Sequence, residues 1–317
     1  MSKQFLVVLA ALLAVLVITG VVVAQDEEMP EMPAIEDASL EGATFIVGSK
    51  DFSEQIILAY ITMAVLEEYG AETEDQSNIV GTVNTRTALE SGDIDIYWEY
   101  TGTGWITLLQ ETTPIFDPVE QYTAVAERDL EENEIVWLTP ALFNNTYAMA
   151  ILAETAEELE VEALSDLADL DTADLTFCIE SEFSTRDDGM PGMLSTYGIE
   201  IPEDNIFMLD TGVIYTETAS GETCNFGEVF ATDGRIAALD LVVMEDDENF
   251  FPIYNPAPTI RLETLTEYPQ LFDILAPVSL ALDNETMQAL NGLVDVDGED
   301  PQDVAIAWLL EMGFISE

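Results

Sequence analysis

From residue 44 onward the chain alternates short apolar runs with segments of helical period, and that alternation admits few architectures. Thr44 to Gly48 is a buried strand ending in a glycine turn. Ser53 is placed to cap a helix whose apolar positions Ile56, Ile57, Tyr60, Met63 and Ala64 recur at helical spacing, and Gly70 closes it. A strand-like stretch at 78–83, a helix at 84–91 and the strand Ile94 to Trp98 follow. The middle repeats the style, with strands near 146–151, 175–179 and 226–230 and helices near 163–168, 188–197 and 235–240. The end is helical over 262–275, 283–294 and 301–313, with Asp283 and Asp300 as caps and Pro301 at a first helical position. The pattern predicts an α/β fold of two lobes, the second inserted into the first: residues 43–143 plus 246–317, and residues 144–245. Ligands of such sheets bind beyond the carboxyl ends of strands and between lobes.

Ahead of this lies a targeting segment. Lys3 precedes an apolar run from Phe5 to Ala24, polar only at Thr19, with a small-residue exit before Gln25. That is the pattern of a secretory signal peptide. Its length of about 20 residues also suffices for an uncleaved membrane anchor. No cysteine lies near the exit, which excludes a lipid-modified N-terminal Cys. Both readings place the remainder on the periplasmic or extracellular face of the membrane. Residues 25–42, acidic and without period, read as a tether.

The charge balance is extreme, with 64 acidic residues against 7 basic ones and no histidine. Such a surface repels nucleic acid and anionic lipid. Its self-repulsion suits a high-salt habitat, where the Debye length falls to about 3 Å at 1 M. Beyond the targeting segment only Lys50, Arg86, Arg128, Arg186, Arg235 and Arg261 are basic. Cations this rare are expected where an acid or amide cannot serve, although Arg128, between Glu127 and Asp129, also reads as a solvated helix ion pair. Cys178 and Cys224, each in or beside a strand-like stretch, suit one disulfide in an oxidising compartment; two buried thiols are the alternative. Without histidine, metal binding is not expected, and no cofactor motif is present.

Several short motifs carry chemistry. Gly48-Ser49-Lys50 ends a strand just before a helix N-terminus, where exposed N–H groups and an ammonium favour an anion. Tyr97-Trp98-Glu99-Tyr100 brings aromatics to another strand end, followed by Thr101-Gly102-Thr103-Gly104. Ring faces attract cations, quaternary ammonium among them. Asn144-Asn145-Thr146-Tyr147 enters the second lobe, and Arg186 follows a strand end, where it could grip a carboxylate or pair locally with Asp187 or Asp188. Phe230, ahead of Thr232-Asp233-Gly234, and Tyr254, after Phe250-Phe251-Pro252, add rings at element ends. Core packing or an ordinary cap accounts for any one of these alone.

Together they stand in the order and spacing of one family. GSKDFSEQ, RTALESGDIDIYWEYTGT, NNTYAMA, EFSTRDDGM, FATDGRI and MQALNGLVDVDG resemble the glycine betaine/carnitine/choline-binding proteins of osmoprotectant ABC transporters, over roughly residues 43–315. The resemblance implies a type II periplasmic-binding-protein fold closing on its ligand, and an ABC permease as partner. It implies that Lys50, Tyr100, Thr103, Tyr147, Arg186 and Tyr254 contact the ligand, with the backbone around Asn145 nearby and Gln55 also facing it. Phe230 stands where the family often has tyrosine, keeping the ring without the hydroxyl.

The physical logic agrees. Methylated ammonium donates no N–H hydrogen bonds, so ring faces are its natural host, at about 2 kcal/mol per desolvated contact. Lys50, Thr103 and Arg186 then suit a carboxylate at the other end, favouring a zwitterionic betaine over choline; a choline- or carnitine-specific binding protein is the alternative. A monomeric binding protein is expected. Catalysis is not, because no histidine serves a nucleophile and no P-loop is present. A receptor lobe signalling to a membrane partner is the remaining alternative.

Overall fold

The computed structural model describes residues 38–111, 113 and 115–316, so the targeting segment and most of the expected tether lie outside the described residues. The end of that stretch is not tether. Ala38 and Leu40 are buried in the core, and the Leu40 N–H donates to the Tyr69 carbonyl at 2.7 Å.

The strands are β1 (Thr44–Lys50), β2 (Glu72–Ile79), β3 (Ile96–Tyr100), β4 (Ile135–Trp137), β5 (Tyr147–Leu152), β6 (Phe177–Ile179), β7 (Ile206–Met208), β8 (Phe226–Phe230), β9 (Leu241–Val243) and β10 (Pro256–Arg261). They form two mixed five-stranded sheets, ordered β2-β1-β3-β10-β4 and β7-β6-β8-β5-β9. Each sheet repeats one plan. Three parallel strands come first, then an antiparallel strand whose chain has just arrived from the other sheet, then a short outer strand. The result is a two-lobed α/β fold with two chain crossings, near residues 138–146 and 244–255.

The α-helices of six residues or more are α1 (Ser53–Glu68), α2 (Thr82–Ser91), α3 (Pro118–Asn133), α4 (Ala153–Leu159), α5 (Met190–Tyr197), α6 (Thr211–Ser220), α7 (Leu262–Glu267), α8 (Leu271–Ala281), α9 (Asn284–Asp295) and α10 (Pro301–Met312), and Leu164–Asp169 is a 3-10 helix. Asp283 and Asp300 cap α9 and α10 as expected, accepting from the Thr286 and Gln302 N–H groups at 2.9 Å each. Ser53 does not cap α1. Phe52 holds the extended cap position, and the Ser53 hydroxyl donates to Asp295 instead at 2.5 Å. The expected helix 262–275 is two helices, because Pro269 supplies no N–H and disfavours a helical Tyr268.

Each lobe has its own core. Phe45, Val47, Ile57, Leu58 and Trp98 pack in the first, and Met149, Ile151, Phe177, Ile179 and Phe226 in the second. A disulfide joins Cys178 of β6 to Cys224 ahead of β8, with 5.8 Å between Cα atoms. Among the described residues no helix is long and apolar enough to cross a membrane.

Candidate functional site

The carboxyl ends of all six parallel strands open on one cleft of about 500 Å3, a size that suits a small molecule. Lys50 ends β1, Val80 follows β2 and Tyr100 ends β3; Glu180 follows β6, Leu209 follows β7 and Phe230 ends β8. Tyr147, the first residue of β5, and Tyr254, just ahead of β10, complete the mouth from the two antiparallel strands. Register places Tyr147 directly opposite Phe230, and Pro256 opposite Tyr100.

One wall is aromatic and continuous. Phe52 stacks between Tyr100 and Phe230, with centroids 6.2 and 5.5 Å apart. Phe230 meets Tyr147 at 5.4 Å, and Tyr147 meets Tyr254 edge-on at 5.5 Å. The Tyr254 ring lies against Gly102, where a Cβ would come within 2.6 Å of two ring carbons, so only glycine leaves room for it. The protein's own cations already sit over two of these rings: Lys50 Nζ is 5.3 Å from the Tyr100 centroid, and Arg186 Cζ is 5.4 Å from that of Tyr147.

The rest of the cleft is acidic, with Asp51, Glu180, Glu182 and Asp210 in its lining. Burial, and then neighbouring Glu182, Asp51 and Asp210, push the Glu180 carboxyl up to about 7. Burial, then Glu180, raises Glu228 beneath it. Glu182 is held low by Lys50 and Arg186, against the opposing effect of burial.

Both cleft cations are engaged. Lys50 Nζ lies 2.6 Å from a buried Glu99 oxygen. Arg186 grips Asp188 in a fork, at 2.8 and 2.6 Å, and donates to Glu182 at 3.0 Å. The expected carboxylate clamp thus already holds the chain's own carboxylates. The other four also have carboxylate partners: Arg86 with Asp129, Arg128 with Glu111 and Glu132, Arg235 with Asp233, and Arg261 with Asp95.

Residues 43–311 match the family described as the substrate binding domain of ABC-type glycine betaine transport systems. The chain belongs to this family. A glycine-betaine-binding protein of Pseudomonas aeruginosa is 36% identical over 86% of this chain and 88% of its own length. The glycine betaine-binding protein YehZ of Escherichia coli is 35% identical over 84% of this chain and 90% of its own. Its apo structure superposes with a TM-score of 0.65, covering 86% of this chain and 99% of that one. An ergothioneine transport permease/binding protein of Helicobacter pylori is 34% identical over 87% of this chain and 49% of its own length. Like these relatives, the chain is a substrate-binding protein of an ABC-type transport system and not an enzyme.

Within this substrate-binding domain the structure brings Lys50, Tyr100, Thr103, Asn145, Tyr147, Arg186, Phe230 and Tyr254 to the one cleft. Gln55 stands apart. Its side chain is buried behind Lys50, where Oε1 accepts the Lys50 N–H at 3.3 Å, and it does not reach the lining. Asn145 contributes more than backbone. Its Nδ2 donates to Glu54, and its buried Oδ1 takes no hydrogen bond from the described residues.

Two residues went unnoticed in the sequence. Phe52 links the ring wall and was hidden as an ordinary apolar residue of the β1–α1 loop. Glu54, buried on α1, accepts four hydrogen bonds from both lobes and the crossing between them. The lobes also touch at Gly234, where a Cβ would lie 2.5 Å from the Gly292 Cα, and where Thr82 donates to Glu182 at 3.0 Å.

Proposed function

We propose that this protein captures a quaternary-ammonium solute outside the cytoplasm and delivers it, as a monomer, to the permease of an ABC importer. The observation that carries the reading is the continuous wall of Tyr100, Phe52, Phe230, Tyr147 and Tyr254 at the strand ends, two of whose rings already hold cations. A trimethylammonium group offers no N–H donor, so ring faces and surrounding negative charge are the attraction open to it. Glycine betaine is the first ligand to test, because relatives over most of the chain carry that name.

A second reading, a hydroxylated cation of the choline kind, is supported by the ion pairs. Lys50 and Arg186 are engaged by Glu99, Asp188 and Glu182, and four carboxylates line the cleft. A ligand carboxylate would have to displace or share those partners, whereas a hydroxyl could donate to a carboxylate of the lining.

Calorimetric titration with glycine betaine and choline decides. Micromolar or tighter binding of either is expected, and its loss in Tyr100→Ala/Tyr254→Ala. No binding of any methylated ammonium compound would sink the proposal. Binding of choline without betaine would remove the carboxylate clamp and leave the ring wall.

A further inference from the structure

Glu54 is one of 64 acidic residues and the most constrained of those near the cleft. Its Oε1 accepts from the Tyr100 hydroxyl and from Asn145 Nδ2, both at 2.7 Å. Its Oε2 accepts from the Thr232 hydroxyl at 2.5 Å and from Asn291 Nδ2 at 2.9 Å. The Asn291 amide also donates to the Thr232 carbonyl at 3.0 Å, which fixes its orientation. Four donors on two oxygens satisfy an ionised carboxylate, which is an acceptor only. Burial raises the Glu54 pKa, and the bonds from Thr232, Tyr100, Asn291 and Asn145 oppose that rise. Glu54 does not line the main cleft; Tyr100, which does, stands between them.

A phenol that donates to a carboxylate gains electron density, and a ring with more density attracts a cation more strongly through its face. Tyr254 repeats the arrangement by donating its hydroxyl to the buried Asp188. Two rings of the wall are therefore each backed by a carboxylate out of ligand reach.

We propose that Glu54 is a specificity-determining residue: by accepting the Tyr100 hydroxyl it charges the aromatic wall, so that the cleft prefers a methylated cation over a neutral molecule of the same shape. Glu54 acts through Tyr100 and is a positioning residue. Asp188 serves Tyr254 in the same way but also holds Arg186, which makes Glu54 the cleaner test. The inference rests on the quaternary-ammonium reading of the cleft, and its experiment separates the two.

Choline and its carbon isostere 3,3-dimethylbutan-1-ol are titrated into the wild type, Glu54→Gln, Tyr100→Phe and the double variant, with melting curves as fold controls. The wild type should prefer choline, and Glu54→Gln should lower that preference by about tenfold while changing the isostere by less than about twofold. Tyr100→Phe keeps the ring, removes the donor, and should give a similar loss. In the double variant the Glu54→Gln change should add little. Equal losses for cation and isostere, or full additivity, overturn the inference while leaving the binding function intact. If Glu54→Gln does not fold, Tyr100→Phe alone decides, and unchanged preference for choline there overturns the inference. A wild type that binds no quaternary ammonium compound overturns the function itself.

Discussion

The aromatic wall and the acidic rim border the same cleft, and both attract cations through different physics. The wall rings are buried or half-buried, rigidly seated at strand ends and packed on one another. Their attraction is short-ranged and depends on shape. Asp51 and Asp210 of the rim are exposed, and Glu180 and Glu182 half-buried. Their attraction is longer-ranged, weakened by salt and open to titration. Under the proposed function the difference teaches a division of labour: the rim would concentrate cations of any kind, while the wall would choose among them.

The largest test breaks the wall. Tyr147 touches Phe183, Phe230 and Tyr254, so Tyr147→Ala removes the ring on which the others lean. Calorimetry should show affinity for a quaternary-ammonium ligand falling by at least about a hundredfold, the scale of a lost aromatic side chain and cation contact together. A loss under tenfold would move the ligand to the rim.

Arg186→Ala comes next, because Arg186 lies between the two regions. It frees Asp188 and Glu182, so betaine affinity should fall by about tenfold or more while choline affinity holds or rises. Equal losses for both would assign Arg186 a structural role. The melting temperature should drop in either case, since Asp188 is left buried without its cation.

The smallest effect belongs to the rim. Glu180, pushed up to about 7 by burial and then by Glu182, Asp51 and Asp210, keeps its proton at pH 6 in the folded protein and loses it by pH 8. Choline affinity should therefore rise by about threefold across that interval and stay flat in Glu180→Gln, with Glu228 and Arg235 unchanged as neighbours. For stability the sign is the opposite. The folded state holds a proton the unfolded chain has released, so this group's contribution declines as pH rises from about 4.5 toward about 7. A pH-independent wild-type affinity would remove Glu180 from the rim's work.

The strands that carry the rings were readable because each is a short apolar run broken by a glycine or hydroxyl residue at the cleft. Others hid for definite reasons. β2 was expected at 78–83 but spans Glu72–Ile79; it pairs only β1, its side chains are largely solvated, and it lacks the apolar signature of a buried strand. β10 lies between two neighbours yet carries Pro256 and Pro258, residues that argue against an inner strand. Their carbonyls still accept, from Ala141 and Leu138 at 2.8 Å each. α3 was read only as a helix ion pair at Arg128, although Asp117 caps it and Pro118 starts it. At the site, every ring of the wall but Phe52, and both cations, were legible by motif. Asp188 was legible as a local partner of Arg186, but Glu99 beneath Lys50, and the buried Glu54, were not, since both are indistinguishable by type from dozens of solvated carboxylates.

The crossing strands also set an order on how the chain can complete itself. β4 pairs only with β10, so residues 135–137 have no partner until residues 256–261 arrive. A chain emerging from its N-terminus delivers all of β5 to β9, and both cysteines, before that moment. The inserted lobe, uninterrupted in sequence, is thus the first that can close its sheet. The lobe that begins the protein is the last to be finished, and the binding cleft exists only once the returning strand has sealed it.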